Sequence, residues 1–188
     1  MATQGMTTPK QGAFTVRRIV ITGVLAAIAI LLGITRLGFI PVPNVSGNAT
    51  IMHVPAIIGG VLEGPVVGLI IGGIFGIYSW LQDTTGLFKN PIVSVAPRLF
   101  IGVVAYYVYA ALRKSNEWLA LAAAGIAGTL TNTILVVGAL VGFGLIPAAV
   151  VPTIIPQAIA ELIIAAVITV AVVAAWKRID TGAGKSSV

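Results

Sequence analysis

Six long apolar blocks make up most of this chain, set apart by short clusters of Gly, Pro, Asn and charged residues. A helix crosses the hydrocarbon core of a bilayer with about 20 apolar residues, fewer where flanking charges snorkel. The first block runs from Ile19 to about Ile40, follows Arg17-Arg18 and carries Arg36 near its far end. The second, Ile51 to Leu62, is short for a span and stops at the turn signal Glu63-Gly64-Pro65. The third is Val66 to Leu81, with Gly68/Gly72 and Gly72/Gly76 at the spacing of close helix packing. The fourth, Ile92 to Leu112, is broken by Pro97-Arg98; the fifth runs from Trp118 to Phe143 and the sixth from Val151 to Trp176. The pattern predicts an all-α integral membrane protein: six transmembrane helices in a single membrane domain over 1–188, with polar tails at 1–15 and 180–188 that should be poorly ordered.

Composition agrees. Residues of the AVILMFWYC set make up 58% of the 188 and charged residues 9%, a balance one soluble core of this size could hardly hide. The absence of Cys and the single His exclude disulfide frameworks, thiol nucleophiles and Cys-based metal sites. Positive charges flank the apolar runs without massing into a nucleic-acid-binding face. With an inside N-terminus, Lys10, Arg17, Arg18, Arg113, Lys114, Lys177, Arg178 and Lys185 fall on the inner side and only Arg36 and Lys89 on the outer. That bias predicts an even number of crossings and both termini cytoplasmic. Arg17-Arg18 and Ala27-Ile28-Ala29 imitate a cleavable signal, but cleavage would leave five crossings and damage the bias, so the first helix is expected to stay. Outer loops are then expected near 41–50, 82–91 and 144–150, and inner connections at 63–65 and 113–117.

Polar side chains inside a bilayer need a partner, a cavity or a role. On this topology Asn44, Ser46, Asn48 and Thr50 lie in or beside the first outer loop, with His53 just inside the second helix. Trp80, Gln82, Asp83, Lys89 and Asn90 belong to the second outer loop. Arg98 lies about two turns below the outer end of its helix, Gln157 and Glu161 in the outer half of the sixth, and Asn132 beyond the middle of the fifth. Such a set describes a cavity open outward and sealed below, built to hold something more than to conduct it. Each residue also has a structural reading. Arg98 and Glu161 would neutralise each other, His53 and Asn132 would serve helix interfaces, and Trp80 would join the interfacial aromatic belt. No second His or carboxylate pair completes a metal site, and Asp83, Glu161 and His53 make no recognisable catalytic set.

The stretch from Asn48 to Gly59, then Glu63-Gly64-Pro65-Val66-Val67-Gly68, Asn90-Pro91 and Pro97-Arg98-Leu99-Phe100-Ile101-Gly102 resembles the substrate-binding S components of energy-coupling factor (ECF) vitamin transporters. The resemblance spans the whole chain and is most specific between residues 48 and 109. It implies a protein of the bacterial or archaeal plasma membrane that captures a water-soluble vitamin or precursor at the outer face. It also implies partners, a transmembrane T subunit and two ATPases, on which the S component topples to release its ligand inside. No cofactor, enzymatic activity or ATP site is implied, in keeping with the absence of any Gly-x-x-x-x-Gly-Lys-Ser/Thr. The family's Ala-x-x-x-Ala contact on the first helix is replaced here by small pairs at Thr22/Ala26, Gly23/Ala27 and Ala29/Gly33, of which Thr22, Gly23, Ala26 and Ala27 are the candidates for docking the T subunit. The Thr-Ile-Met-His-Val-Pro and Pro-Arg-Leu signatures look most like the pantothenate and hydroxymethylpyrimidine branch. Arg98 would suit a pantothenate carboxylate, and Asn48, Thr50, His53, Trp80, Gln82, Asn90, Asn132, Gln157 and Glu161 would complete the site. The alternative is a small autonomous carrier or exporter working without ATPases.

Overall fold

The computed structural model describes residues 15–41 and 48–183. Asn44, Ser46, Lys10, Lys185 and most of both expected tails lie outside these residues. Helix α1, Val16–Ile34, begins where the Thr15 hydroxyl accepts from the Arg18 N–H at 3.3 Å. It ends six residues before the expected Ile40, because Arg36 adopts a left-handed φ of 58° and the Gly38 N–H turns back to Leu32 O at 2.8 Å. The chain then forms a feature the apolar pattern concealed. Strand β1, Phe39–Pro41, pairs antiparallel with β2, Asn48–Thr50, with Ile40 opposite Ala49.

Helix α2, Val54–Glu63, is short and buried from Val54 to Val61, which explains a sequence apolar on every face. Gly64, at φ 101°, turns it directly into α3, Pro65–Leu81. The fourth crossing is broken as expected. A single turn α4, Pro91–Ser94, is capped by the Asn90 side chain accepting from the Ile92 N–H at 2.9 Å, and α5, Ala96–Leu112, follows after Val95. Helix α6, Glu117–Gly142, starts at an Asn116 cap, and α7, Val151–Ala183, contains Pro156 and runs into the segment expected as a polar tail. Counting α4 and α5 as one broken crossing, there are six helices among the described residues. Among the described residues, four segments are long and apolar enough to cross a membrane alone: α1, α4 with α5, α6, and α7 with the short 3₁₀ turn before it.

Helix α5 lies between α3 and α6, α6 lies between α5 and α7, and α2 fills the space between them. Glycine sets the closest approach. A Cβ on Gly72 would overlap the carbonyl oxygen of Arg98, and one on Gly76 would lie 2.8 Å from the Val95 Cα, so α3 and the broken crossing touch backbone to backbone. Around this core, Val20, Val24, Leu31, Ile134, Ile163 and Val167 stand exposed as a hydrocarbon-facing belt.

One end of the bundle is tied by ion pairs. Arg17 Nε reaches Glu63 Oε1 at 3.0 Å and Arg18 Nε reaches its Oε2 at 3.7 Å, while Lys177 pairs with Glu117 and with the Tyr109 hydroxyl. The start of α1, the α2–α3 turn, the α5–α6 turn and the last turns of α7 therefore share an end, together with Arg113 and Lys114. The hairpin, the 82–90 loop and the α6–α7 connection form the opposite end.

Candidate functional site

A layer of polar side chains crosses the bundle below the hairpin. Its level follows from helix contacts. A Cβ on Gly128 would lie 3.3 Å from Ile101 O, which puts Arg98, one turn back on antiparallel α5, level with Thr131 and Asn132 of α6. Gly125 meets Ala165 and Ala166 of α7, so Thr129, one turn on, stands level with Glu161. Into this level comes the segment between β2 and α2. The Thr50 N–H donates to Glu161 Oε1 at 2.7 Å, and His53 Nε2 lies 2.8 Å from Thr129 Oγ1. Gln157, one turn before Glu161, donates from Nε2 both to Asn48 O at 2.9 Å and to Glu161 Oε1 at 3.0 Å. The hairpin is thus fastened to α7 by two side chains.

Arg98 is 4% exposed, and its geometry follows from its neighbour. Pro97 has no N–H to offer Val93 O, and the Arg98 N–H bonds Val95 O in place of Ser94 O, so the helix break leaves two carbonyls without their usual donor. The guanidinium folds back and supplies it: Nη1 donates to Val93 O at 2.9 Å and to Ser94 O at 2.7 Å. Its Cζ also lies 5.6 Å and 4.9 Å from the ring centroids of Phe75 and Phe88. The structure corrects one expectation here, because Arg98 and Glu161 form no ion pair. Each has other partners: Arg98 has the two carbonyls, the Ser79 hydroxyl 3.5 Å from Nη2 and the aromatic faces, and Glu161 accepts from Thr50 and Gln157. Among the described residues no carboxylate answers the Arg98 charge, and its Nε is buried without a hydrogen-bond partner.

The remaining candidates divide. Asn132 is in the layer, 7% exposed, with its Oδ1 unpartnered. Trp80 and Asn90 organise the adjoining loop: the indole Nε1 donates to Lys89 O at 2.9 Å, and Asn90 caps α4. Gln82 is exposed at the end of α3. Asp83, partly buried, fastens the same loop, its Oδ1 accepting from the Thr85 N–H and hydroxyl and its Oδ2 from the Phe88 N–H at 3.1 Å. Burial alone would raise its pKa, but these hydrogen bonds together hold the carboxyl below its ordinary range. That arrangement positions Phe88 against Arg98. Of the proposed docking residues, Thr22 and Ala26 are buried against the chain's own helices and so present no face to another subunit, whereas Gly23 and Ala27 are exposed. Sequence reasoning missed Thr129, Ser94 and Phe88. Only the spacing Thr129-x-x-Asn132, which puts a hydroxyl and an amide on one helical face, offered a signal.

A family model for the substrate-specific component of ECF transporters matches residues 17–173. The chain belongs to the ECF-transporter S components. The fold agrees: a solved structure described as "Structure and mechanism of the S component of a bacterial ECF transporter" superposes with a TM-score of 0.62 at 20% identity, covering 88% of this chain and 96% of that one. A curated relative, the pantothenic acid transporter PanT of Lactococcus lactis subsp. cremoris (strain MG1363), is 29% identical over 107 residues, covering 46% of this chain and 53% of its own length. The chain thus spans about half the length of the curated relative it matches. As an S component the protein is a substrate-specific transport subunit and not an enzyme, and a multi-pass protein of the plasma membrane. Among the described residues, the polar layer gathers the buried polar side chains His53, Arg98, Thr129, Asn132 and Glu161.

Proposed function

We propose that this S component captures pantothenate, or a closely related carboxylate, in the polar layer beneath the hairpin and the 82–90 loop. The observation that carries the reading is the Arg98 guanidinium. A buried cation without a countercharge is expensive, and two carbonyls and two aromatic faces compensate it only in part. A substrate carboxylate supplies the missing charge with charge-assisted hydrogen bonds, which a neutral pyrimidine does not. The likeness to a pantothenic acid transporter supports the same substrate.

Uptake is then driven by a T subunit and two ATPases, with the chain's termini and its basic end in the cytoplasm and the hairpin outside. The exposed face of α1 around Gly23 and Ala27 meets the T subunit, since small side chains there permit close helix approach. Two measurements test this reading. Isothermal titration of the purified protein should show tight pantothenate binding in the absence of any other subunit. Pantothenate uptake into cells should require co-expression of the energising module; uptake by this chain alone would favour an autonomous carrier.

A further inference from the structure

His53 is completely buried, and the accounts of its two ring nitrogens differ. The Thr129 hydroxyl has one proton, and it donates that proton to Gly125 O one turn back on α6, at 2.9 Å. The 2.8 Å contact between Thr129 Oγ1 and His53 Nε2 must then be filled by a proton on Nε2. The opposite tautomer would leave a buried N–H without an acceptor, which folded proteins tolerate less well than an unfilled lone pair. Nδ1 is therefore a bare acceptor, and it has no hydrogen-bond partner. A residue opening a helix commonly caps the second or third residue after it. Here the second is Pro55, which has no N–H, and the Ala56 N–H goes to the His53 carbonyl at 3.1 Å.

The neighbourhood has the same character. Thr129, which holds His53, is one turn of α6 from Asn132, and Asn132 is level with Arg98. Arg98 Nε, Asn132 Oδ1 and His53 Nδ1 are three of the four buried side-chain atoms without a partner among the described residues, one donor and two acceptors. We infer that His53 is a specificity residue for the bound substrate: held as the Nε2–H tautomer by Thr129, it presents the Nδ1 lone pair to a hydroxyl or amide N–H of the molecule whose carboxylate faces Arg98. This rests on the substrate reading above and narrows it to carboxylates that also carry hydrogen-bond donors, as pantothenate does.

The chain has a single histidine, so ¹⁵N-histidine labelling gives one imidazole to follow. The ligand-free protein should show a proton on Nε2 only, and pantothenate should shift the Nδ1 resonance toward its hydrogen-bonded position. Two variants separate the nitrogens. His53→Gln keeps a donor toward Thr129 but removes the acceptor; it should keep the wild-type unfolding midpoint and bind pantothenate about tenfold more weakly. His53→Asn keeps a group near the Nδ1 position and loses the Thr129 contact; it should lose stability and retain more affinity than His53→Gln. A proton on Nδ1, an unmoved Nδ1 signal in pantothenate-saturated protein, or wild-type affinity in His53→Gln overturns the inference while the substrate assignment stands. Wild-type protein that takes no pantothenate defeats both.

Discussion

Arg98→Gln sets two large terms against each other. Removing the guanidinium deprives Val93 O and Ser94 O of the donors now at 2.9 Å and 2.7 Å, and a buried acceptor left unpaired costs roughly 1–3 kcal/mol. It also removes a buried cation that has no countercharge, relieving a desolvation penalty of about several kcal/mol. The stability of the ligand-free protein should therefore move little. Affinity has no such offset, because a charge-assisted bond to a carboxylate contributes roughly 1.5–3 kcal/mol, about ten- to a hundredfold in Kd. Ligand-induced stabilisation should show the same split. At a pantothenate concentration one hundred times the wild-type Kd, the bound state gains about 2.7 kcal/mol; with affinity a hundredfold weaker the gain is about 0.4 kcal/mol. Thermal unfolding in detergent, with and without pantothenate, reads both quantities from one sample, and isothermal titration checks the Kd. A folded Arg98→Gln protein with wild-type affinity would refute the reasoning and leave Arg98 as the plug of a helix break.

Gly72→Val should lower the unfolding midpoint sharply, since its Cβ would overlap the Arg98 carbonyl and overpacking costs roughly 1–3 kcal/mol; Gly138→Ala, with nothing within 4 Å, serves as the control that should not. Trp at Gly23 should abolish module-dependent uptake and spare pantothenate binding, because that face of α1 is open and far from the layer; wild-type uptake would remove α1 as the docking face. The chain has no native Cys, so an impermeant maleimide should label Thr84→Cys in intact cells and leave Ser115→Cys untouched; the reverse pattern would invert the topology. The depressed Asp83 pKa adds loop stability that is present above the ordinary value of 3.8 and lost as the pH falls through the lower folded-state value. Trp80 fluorescence, in a chain whose other tryptophans are replaced by Phe, should report that acid transition, and Asp83→Asn should remove it.

How far the sequence could be read depended on whether a feature left a mark in composition. The crossings were legible because Gly64-Pro65, Asn90-Pro91 and Pro97 punctuate otherwise apolar runs, and each punctuation became a real turn or break. The hairpin was not, because Phe39-Ile40 continues the apolar run of α1 and only the backbone reversal at Arg36 separates them. Arg98 stood out as a charge inside a span, but its first duty, to Val93 O and Ser94 O, follows from Pro97 four residues after Val93 and was open to deduction. The supposed pairing with Glu161 failed because opposite charges in two spans say nothing about which side chains already have hydrogen bonds. Thr129 had only its spacing from Asn132 to mark it, and Ser94, whose hydroxyl donates to Gly76 O at 3.1 Å, carries no signal until that neighbour reaches it. The small pairs on α1 were visible as spacing, yet spacing alone does not distinguish the stripe that faces inward, Thr22 and Ala26, from the one that faces out.

The short second crossing bears on how the protein is made. With ten residues, α2 covers about 15 Å of a hydrocarbon core about 30 Å thick. The non-helical stretch ahead of it holds to Thr129 and Glu161, synthesised 76 residues after His53 and 111 after Thr50. Until the ribosome has delivered α6 and α7, those polar groups have no partner that lipid can supply. The first half of the nascent chain must therefore stay sheltered, at the interface or within the insertion machinery, while the second half arrives. In this sense the last two helices act as a built-in chaperone for the residues that precede α2, and a chain truncated after α5 should be cleared by quality-control proteases and not accumulate in the membrane.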